Sequence, residues 1–278
     1  MTHDFNRSRP AAVAGMFYPD DPQELKSQID FLLHNLEKKP LAGELFALIV
    51  PHAGYMYSGQ VAAAAYQHLL EQDYDYVAVI SPSHRDYFTE ISVLPALSYS
   101  TPFRDVKIAV DLCERLIDQH ESIIGSWVGH GQEHALEVQL PFLQRVLGDF
   151  RLIPIVMGDQ NYEYSVILGE ALAKVFRHQK VLIVASTDLS HFYPAEDAEG
   201  KDKKIADRIN AFDYEGLWDD IESQFCEACG AGPIVATMIA AKKRGANKSE
   251  VLLYQNSGDV TGDHSAVVGY LSAAIYRV

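Results

Sequence analysis

The sequence predicts an α/β fold: a single domain over residues 1–278, with a mostly parallel central sheet and helices on both faces. Three observations carry this reading. Short apolar runs without polar alternation recur at Leu45–Val50 (LFALIV), Tyr76–Ser81 (YVAVIS), Leu152–Met157 (LIPIVM) and Lys180–Ser186 (KVLIVAS), as expected of strands covered on both faces. Segments of helical period lie between them, and such alternation favours a parallel sheet. No Pro/Gly/Ser-rich linker or solenoid-period repeat divides the chain, and a length of 278 residues suits one large α/β domain.

The elements follow in order. Ser58 is placed to cap a helix running to Gln72, and Asp105–His120, Glu133–Leu147 and Asn161–His178 have helical spacing. A charged helical segment follows Asp197, and Gly230–Lys243 reads as a helix of small residues. Val251–Gln255 and Ala266–Ile275 read as closing strands, with an antiparallel arrangement open to them.

Composition narrows the function classes. Lys and Arg number 23 against 38 Asp and Glu, a net charge of −15. Such a chain repels phosphate backbones and anionic membranes, so neither nucleic acid nor a membrane surface is an expected partner. The longest stretch free of Asp, Glu, Lys and Arg, Leu45–Leu70, is broken by Pro51-His52-Ala53-Gly54 and is not a membrane span. The first residues, Met1-Thr-His-Asp-Phe-Asn-Arg, lack the apolar run of a signal peptide. Three cysteines, Cys113, Cys226 and Cys229, are too few for a disulfide framework. A cytoplasmic protein with free thiols is expected.

The reactive residues fall at strand ends. His52 follows the first apolar run, His84 the second, in Ser81-Pro82-Ser83-His84, and Asp188 and His191 follow Lys180–Ser186. In open α/β sheets that edge is where ligand sites form, so these side chains can share one site if their strands are neighbours. Taken singly, each histidine reads more readily as a loop residue or helix cap, and it is the joint pattern that favours a shared site. Cys229 precedes a helix start, where unpaired N–H groups and the helix dipole favour a thiolate. The Cys226/Cys229 spacing lacks the second C-x-x-C of a zinc ribbon, so Cys226 reads as accidental, and Cys113 fits an apolar helix face. Glu133, His134 and Glu137 open a predicted helix. Spacing alone favours a solvated helix start with acids complementing the dipole; the alternative makes them partners that orient a ligand histidine. His3, His34, His68, His120, His178 and His264 receive no role. Ser58 and Ser190 lack a G-x-S-x-G elbow, and no phosphate-binding glycine loop is present.

Six blocks carry a resemblance: Ala11–Tyr18 (AAVAGMFY), Val50–Gly59 (VPHAGYMYSG), Ser81–His84 (SPSH), Glu133–Pro141 (EHALEVQLP), Ser186–His191 (STDLSH) and Ala228–Ile234 (ACGAGPI). In this order they resemble the Memo family, whose bacterial and archaeal members are called AmmeMemoRadiSam system protein B. The resemblance implies a fold similar to the class III extradiol dioxygenases, the LigB-like group of non-haem iron enzymes. It implies metal ligands at His52, His84 and Cys229, the cysteine standing where the dioxygenases have a carboxylate, and pocket roles for Asp188 and for His191 as acid/base. Fe(II) is the expected metal. A thiolate also suits Cu or Zn and puts the ring-opening reaction itself in question.

Three functional classes are thus in play. One is a metalloprotein performing redox chemistry on a small, phenolic molecule, with His191 and Asp188 handling protons. A second is a non-catalytic protein that binds a small-molecule or peptide ligand, or handles metal, within a partner complex. For this class the family's system name implies functional association with AMMECR1-like and radical SAM proteins. A third is a zinc hydrolase, which needs only the three ligands and an open position for water.

Overall fold

The computed structural model describes residues 7–94 and 96–278; His3 and the polar start of the chain lie outside the described residues. The strands are β1 (Ser8–Arg9), β2 (Glu44–Val50), β3 (Tyr76–Pro82), β4 (Ile91–Val93), β5 (Ser98–Tyr99) and β6 (Val106–Lys107). They continue with β7 (Ile123–Gly125), β8 (Arg151–Met157), β9 (Val181–Ser186), β10 (His191–Tyr193), β11 (Lys248–Asn256) and β12 (Val267–Arg277). The helices are α1 (Pro22–His34), α2 (Tyr55–Tyr66), α3 (Val110–Ile117), α4 (Gln139–Leu147) and α5 (Tyr162–Val175). After them come α6 (Ala195–Asn210), α7 (Tyr214–Glu222), α8 (Ala231–Lys243) and the short α9 (Gly258–Thr261).

β1, β5 and β6 form a small sheet, and the other nine strands form one large sheet in the order β10-β12-β2-β9-β3-β8-β4-β7, with β11 on β12. Its centre, β2-β9-β3-β8, is parallel. These are the four apolar runs, and apart from their first residues they are almost wholly buried. The flanks are antiparallel, β12 against β2 and β4 against β8, so the sheet is mixed around a parallel core. The crossover β2–α2–β3 runs one way along the sheet and β8–α5–β9 the other. Right-handed crossovers of opposite direction place their helices on opposite faces. Accordingly α2 packs with α1 and α4 in one layer, and α5 with α8 and α7 in the other.

Three predicted helix starts shift, each because a tertiary contact takes over a local one. α2 begins at Tyr55, whose N–H donates to the Phe17 carbonyl (2.8 Å), so Ser58 sits inside the first turn rather than at its cap. Residues 105–109 do not join α3, because Val106 and Lys107 pair with β5. Glu133 and His134 lie in irregular chain and residues 135–138 form turns, so α4 starts only at Gln139. The two closing strands are antiparallel and somewhat longer than predicted. Among the described residues no helix is long and apolar enough to cross a membrane.

Candidate metal centre

β9 lies between β2 and β3. His52, Asp188 and His84 each stand two residues past the end of one of these strands, so adjacent parallel strands deliver them to a single edge. Cys229 comes from the other direction, two residues before α8 begins. One ligand atom each from His52, His84 and Cys229 lies within 4.8 Å of the other two. The Cys229 Sγ is 3.1 Å from His52 Nε2, and the two imidazoles meet edge to face with centroids 5.1 Å apart.

Hydrogen bonds orient both imidazoles. Ser186 Oγ donates to the Ala135 carbonyl (2.6 Å) and accepts from Gln139 Nε2 (2.9 Å), leaving it an acceptor toward His52 Nδ1 at 3.0 Å. His52 therefore carries its proton on Nδ1 and presents the Nε2 lone pair to the cluster. His84 is arranged alike: its Nδ1 lies 3.0 Å from Glu133 Oε1, while its backbone N–H donates to Glu133 Oε2. Glu133 Oε1 also accepts the N–H groups of His134 and Ala135, each at 2.9 Å. With its acceptor capacity spent in this way, Glu133 acts on His84 rather than as a donor atom in its own right.

The expectation of a solvated helix start is thus corrected. Glu133 is 2% and Glu137 0% exposed. Glu137 pairs with the buried Arg9 and accepts from Ala12 N, Val13 N and the Tyr18 hydroxyl, clamping the N-terminal segment. Arg9 in turn donates to the Glu133 carbonyl at 2.7 Å. Phe17, on the same segment, packs on His134 with centroids 4.7 Å apart.

Asp188 and His191 complete the surroundings. Asp188 Oδ1 accepts the His52 backbone N–H (2.8 Å), and the Asp188 N–H points at Cys229 Sγ (3.1 Å), so this residue ties two of the three donors together. His191 Nδ1 donates to the Leu189 carbonyl at 2.7 Å, which leaves Nε2 as its proton acceptor. Its backbone N–H donates to Glu227 Oε1, and the Tyr193 hydroxyl to Glu227 Oε2, linking the His191 strand to the cysteine loop. Gly230 allows that loop to approach β9: a Cβ there would stand 2.4 Å from the Ser186 carbonyl oxygen.

Burial dominates the electrostatics. It pushes the His52 pKa well below that of an ordinary histidine, with His84 and His134 adding to the effect. Burial and the nearby Asp188 push the Cys229 thiol up. Asp188 itself is raised to about 6 by burial, opposed by the His52 N–H bond. Burial also acts to raise the Glu133 carboxyl, but the His134 and His84 imidazoles and the Ala135 N–H hold it well below the usual carboxylate range.

Two imidazole nitrogens held as lone-pair donors beside a thiol could hold a transition-metal ion, and a bound cation would compensate a Cys229 thiolate. His84 is partly exposed, so the cluster opens to solvent on that side. Cys113 and Cys226 are buried and free, away from the donor set. Sequence reasoning passed over Ser186, Gln139 and Glu227; nothing local marks them, because their partners are distant in the chain.

Fold and site together define an α/β protein with a His/His/Cys cluster at the carboxyl edge of a parallel sheet core. Residues 9–274 match the family described as Memo-like protein. A MEMO1 family protein of Methanopyrus kandleri is 36% identical over 97% of this chain and 99% of its own length. Another, of Methanosarcina mazei, is 38% identical over 96% of this chain and 98% of its own. The chain belongs to the Memo family. An uncharacterized protein of Escherichia coli K12 shares the fold, with a TM-score of 0.52 at 15% identity, covering 83% of this chain and 99% of its own.

Proposed function

We propose that this protein binds one transition-metal ion through His52 Nε2, His84 Nε2 and Cys229 Sγ, and uses the site for redox chemistry on a small molecule. The observation that supports it is the paired orientation of the two histidines. Ser186 and Glu133 occupy the Nδ1 positions, so both free lone pairs belong to Nε2 atoms beside the one cysteine of the cluster. Iron(II) is the first expectation, with copper or zinc compatible with a thiolate. The ion would supply a Lewis-acidic, redox-active centre with positions left open by only three protein ligands. Around it, Asp188 holds the His52 backbone and the cysteine loop in register, and His191 Nε2 accepts or returns a proton of the bound molecule.

Metal content of protein purified anaerobically without a metal-affinity tag, beside a His52→Ala control, tests the reading. Roughly one iron or copper per chain, lost in the variant, is expected for a site with these ligands. Equal metal in parent and variant would overturn the ligand set, and zinc alone would turn the reading toward hydrolysis. His191→Ala should retain the metal while abolishing turnover of the molecule it serves.

A further inference from the structure

Three non-glycine residues among those described have a left-handed backbone: Phe192, Phe212 and Gln224. Two are explained by helix ends. Phe212 follows the last residues of α6, with Asp213 N bonded to Arg208 O and Phe212 N to Ile209 O. Gln224 repeats the pattern after α7, with Phe225 N on Asp220 O and Gln224 N on Ile221 O. These are Schellman caps, which demand such a residue. Phe192 has no helix to end.

It is instead the extra residue of a β-bulge. His191 pairs with Val268 and Tyr193 with Val267, so Phe192 has no partner on β12. Its φ is +65°, a conformation that glycine adopts freely and an aromatic residue adopts at a cost. Its side chain is also 76% exposed, so folding recovers little by burying it. Two local preferences are thus violated at one residue. The bulge breaks the alternation of the strand and brings the Phe192 ring against its neighbour His191, edge to face with centroids 5.7 Å apart. Other exposed apolar side chains stand on the same sheet edge: Met56 is four residues past His52, and Tyr87 is three past His84.

We propose that Phe192 is a ligand-gripping residue: its ring forms an apolar subsite beside His191 that takes the flat face of an aromatic small molecule. The inference rests on the reading of the site as one that acts on a small molecule, and adds the residue that selects an aromatic one. Residues that break local rules without a structural return concentrate at functional sites, and a ligand packed on the Phe192 ring would cover the surface that folding leaves exposed.

The test uses full-length protein and two probes, 4-nitrocatechol as a planar aromatic and trans-1,2-cyclohexanediol as its non-planar counterpart. Equilibrium binding, metal content and thermal denaturation are measured for the parent, Phe192→Gly, Phe192→Trp and His52→Ala. The parent should prefer the planar probe. Phe192→Gly should bind it about tenfold more weakly, as loss of one aromatic contact implies. Its metal content should be unchanged and its melting temperature equal to or above the parent's, because glycine relaxes the backbone. Phe192→Trp should recover the affinity. A lowered melting temperature with unaltered affinity would make Phe192 a structural residue and overturn the proposal. So would a parent that binds neither probe or does not discriminate between them, or a parent dimer that the glycine variant cannot form. Failure of the metal reading is distinct: it shows as equal metal in parent and His52→Ala, whatever the Phe192 variants do.

Discussion

Glu133→Gln isolates the contribution of one carboxylate to the site. The substitution keeps shape and volume but replaces one acceptor oxygen with an amide that donates. In the parent, Oε1 takes three donors, from His84 Nδ1, His134 N and Ala135 N, and Oε2 takes the His84 N–H. If the amide oxygen keeps the triple position, the new NH2 faces the His84 N–H, and two donors confront each other in a place that is 2% exposed. One unsatisfied buried group costs about 1–3 kcal/mol. In a domain of this size that lowers the melting temperature by about 2–6 °C. The bond to His84 Nδ1 keeps an acceptor but loses its charge assistance, and weakening such an orienting partner lowers metal affinity by about 10–100-fold. Competition against a chromophoric chelator measures the affinity, and thermal denaturation with and without metal measures the stability. Glu137→Gln is the control. Four residues on, its carboxylate holds Arg9 and the N-terminal segment and bonds to none of the ligand imidazoles, so it should cost stability and leave metal affinity unaltered. Parental affinity in Glu133→Gln, or equal losses in both variants, would refute the claim that Glu133 orients His84.

Two further outcomes follow from the structure. Gly230→Ala should destabilise by about 1–3 kcal/mol and weaken metal binding, because the new Cβ meets the Ser186 carbonyl and the Thr187 side chain and pushes the cysteine loop off β9; an unchanged melting temperature and metal affinity would contradict the close approach. The second concerns pH. Burial holds His130 at about 3, and its nitrogens face the Tyr99 hydroxyl and the Ser92 carbonyl. The folded state therefore keeps it neutral while the unfolded chain takes up a proton below about 6.5. Its contribution is full above that pH and falls as pH drops toward 3, by at most about 1.4 kcal/mol per unit. Urea midpoints across this window should fall less steeply in His130→Asn than in the parent, and equal slopes would exclude His130 as a source.

The amino-acid sequence by itself determined the parallel core and the location of the candidate site residues. Strands covered on both faces need unbroken apolar runs, and β2, β3, β8 and β9 lie within a residue of the runs LFALIV, YVAVIS, LIPIVM and KVLIVAS. The positions of His52, His84 and Asp188 just beyond those runs, and of Cys229 just before α8, were legible for the same local reason. The tertiary structure decided the rest. Only long-range pairing places β9 between β2 and β3, and without that order three strand-end residues do not become neighbours. Glu133 and Glu137 look like surface acids because the partners that bury them, His84 and Arg9, lie 49 and 128 residues away in the chain. Phe192 carries no sequence signal either: its backbone is set by the register of β10 on β12, a pairing between segments whose adjacency no local preference encodes.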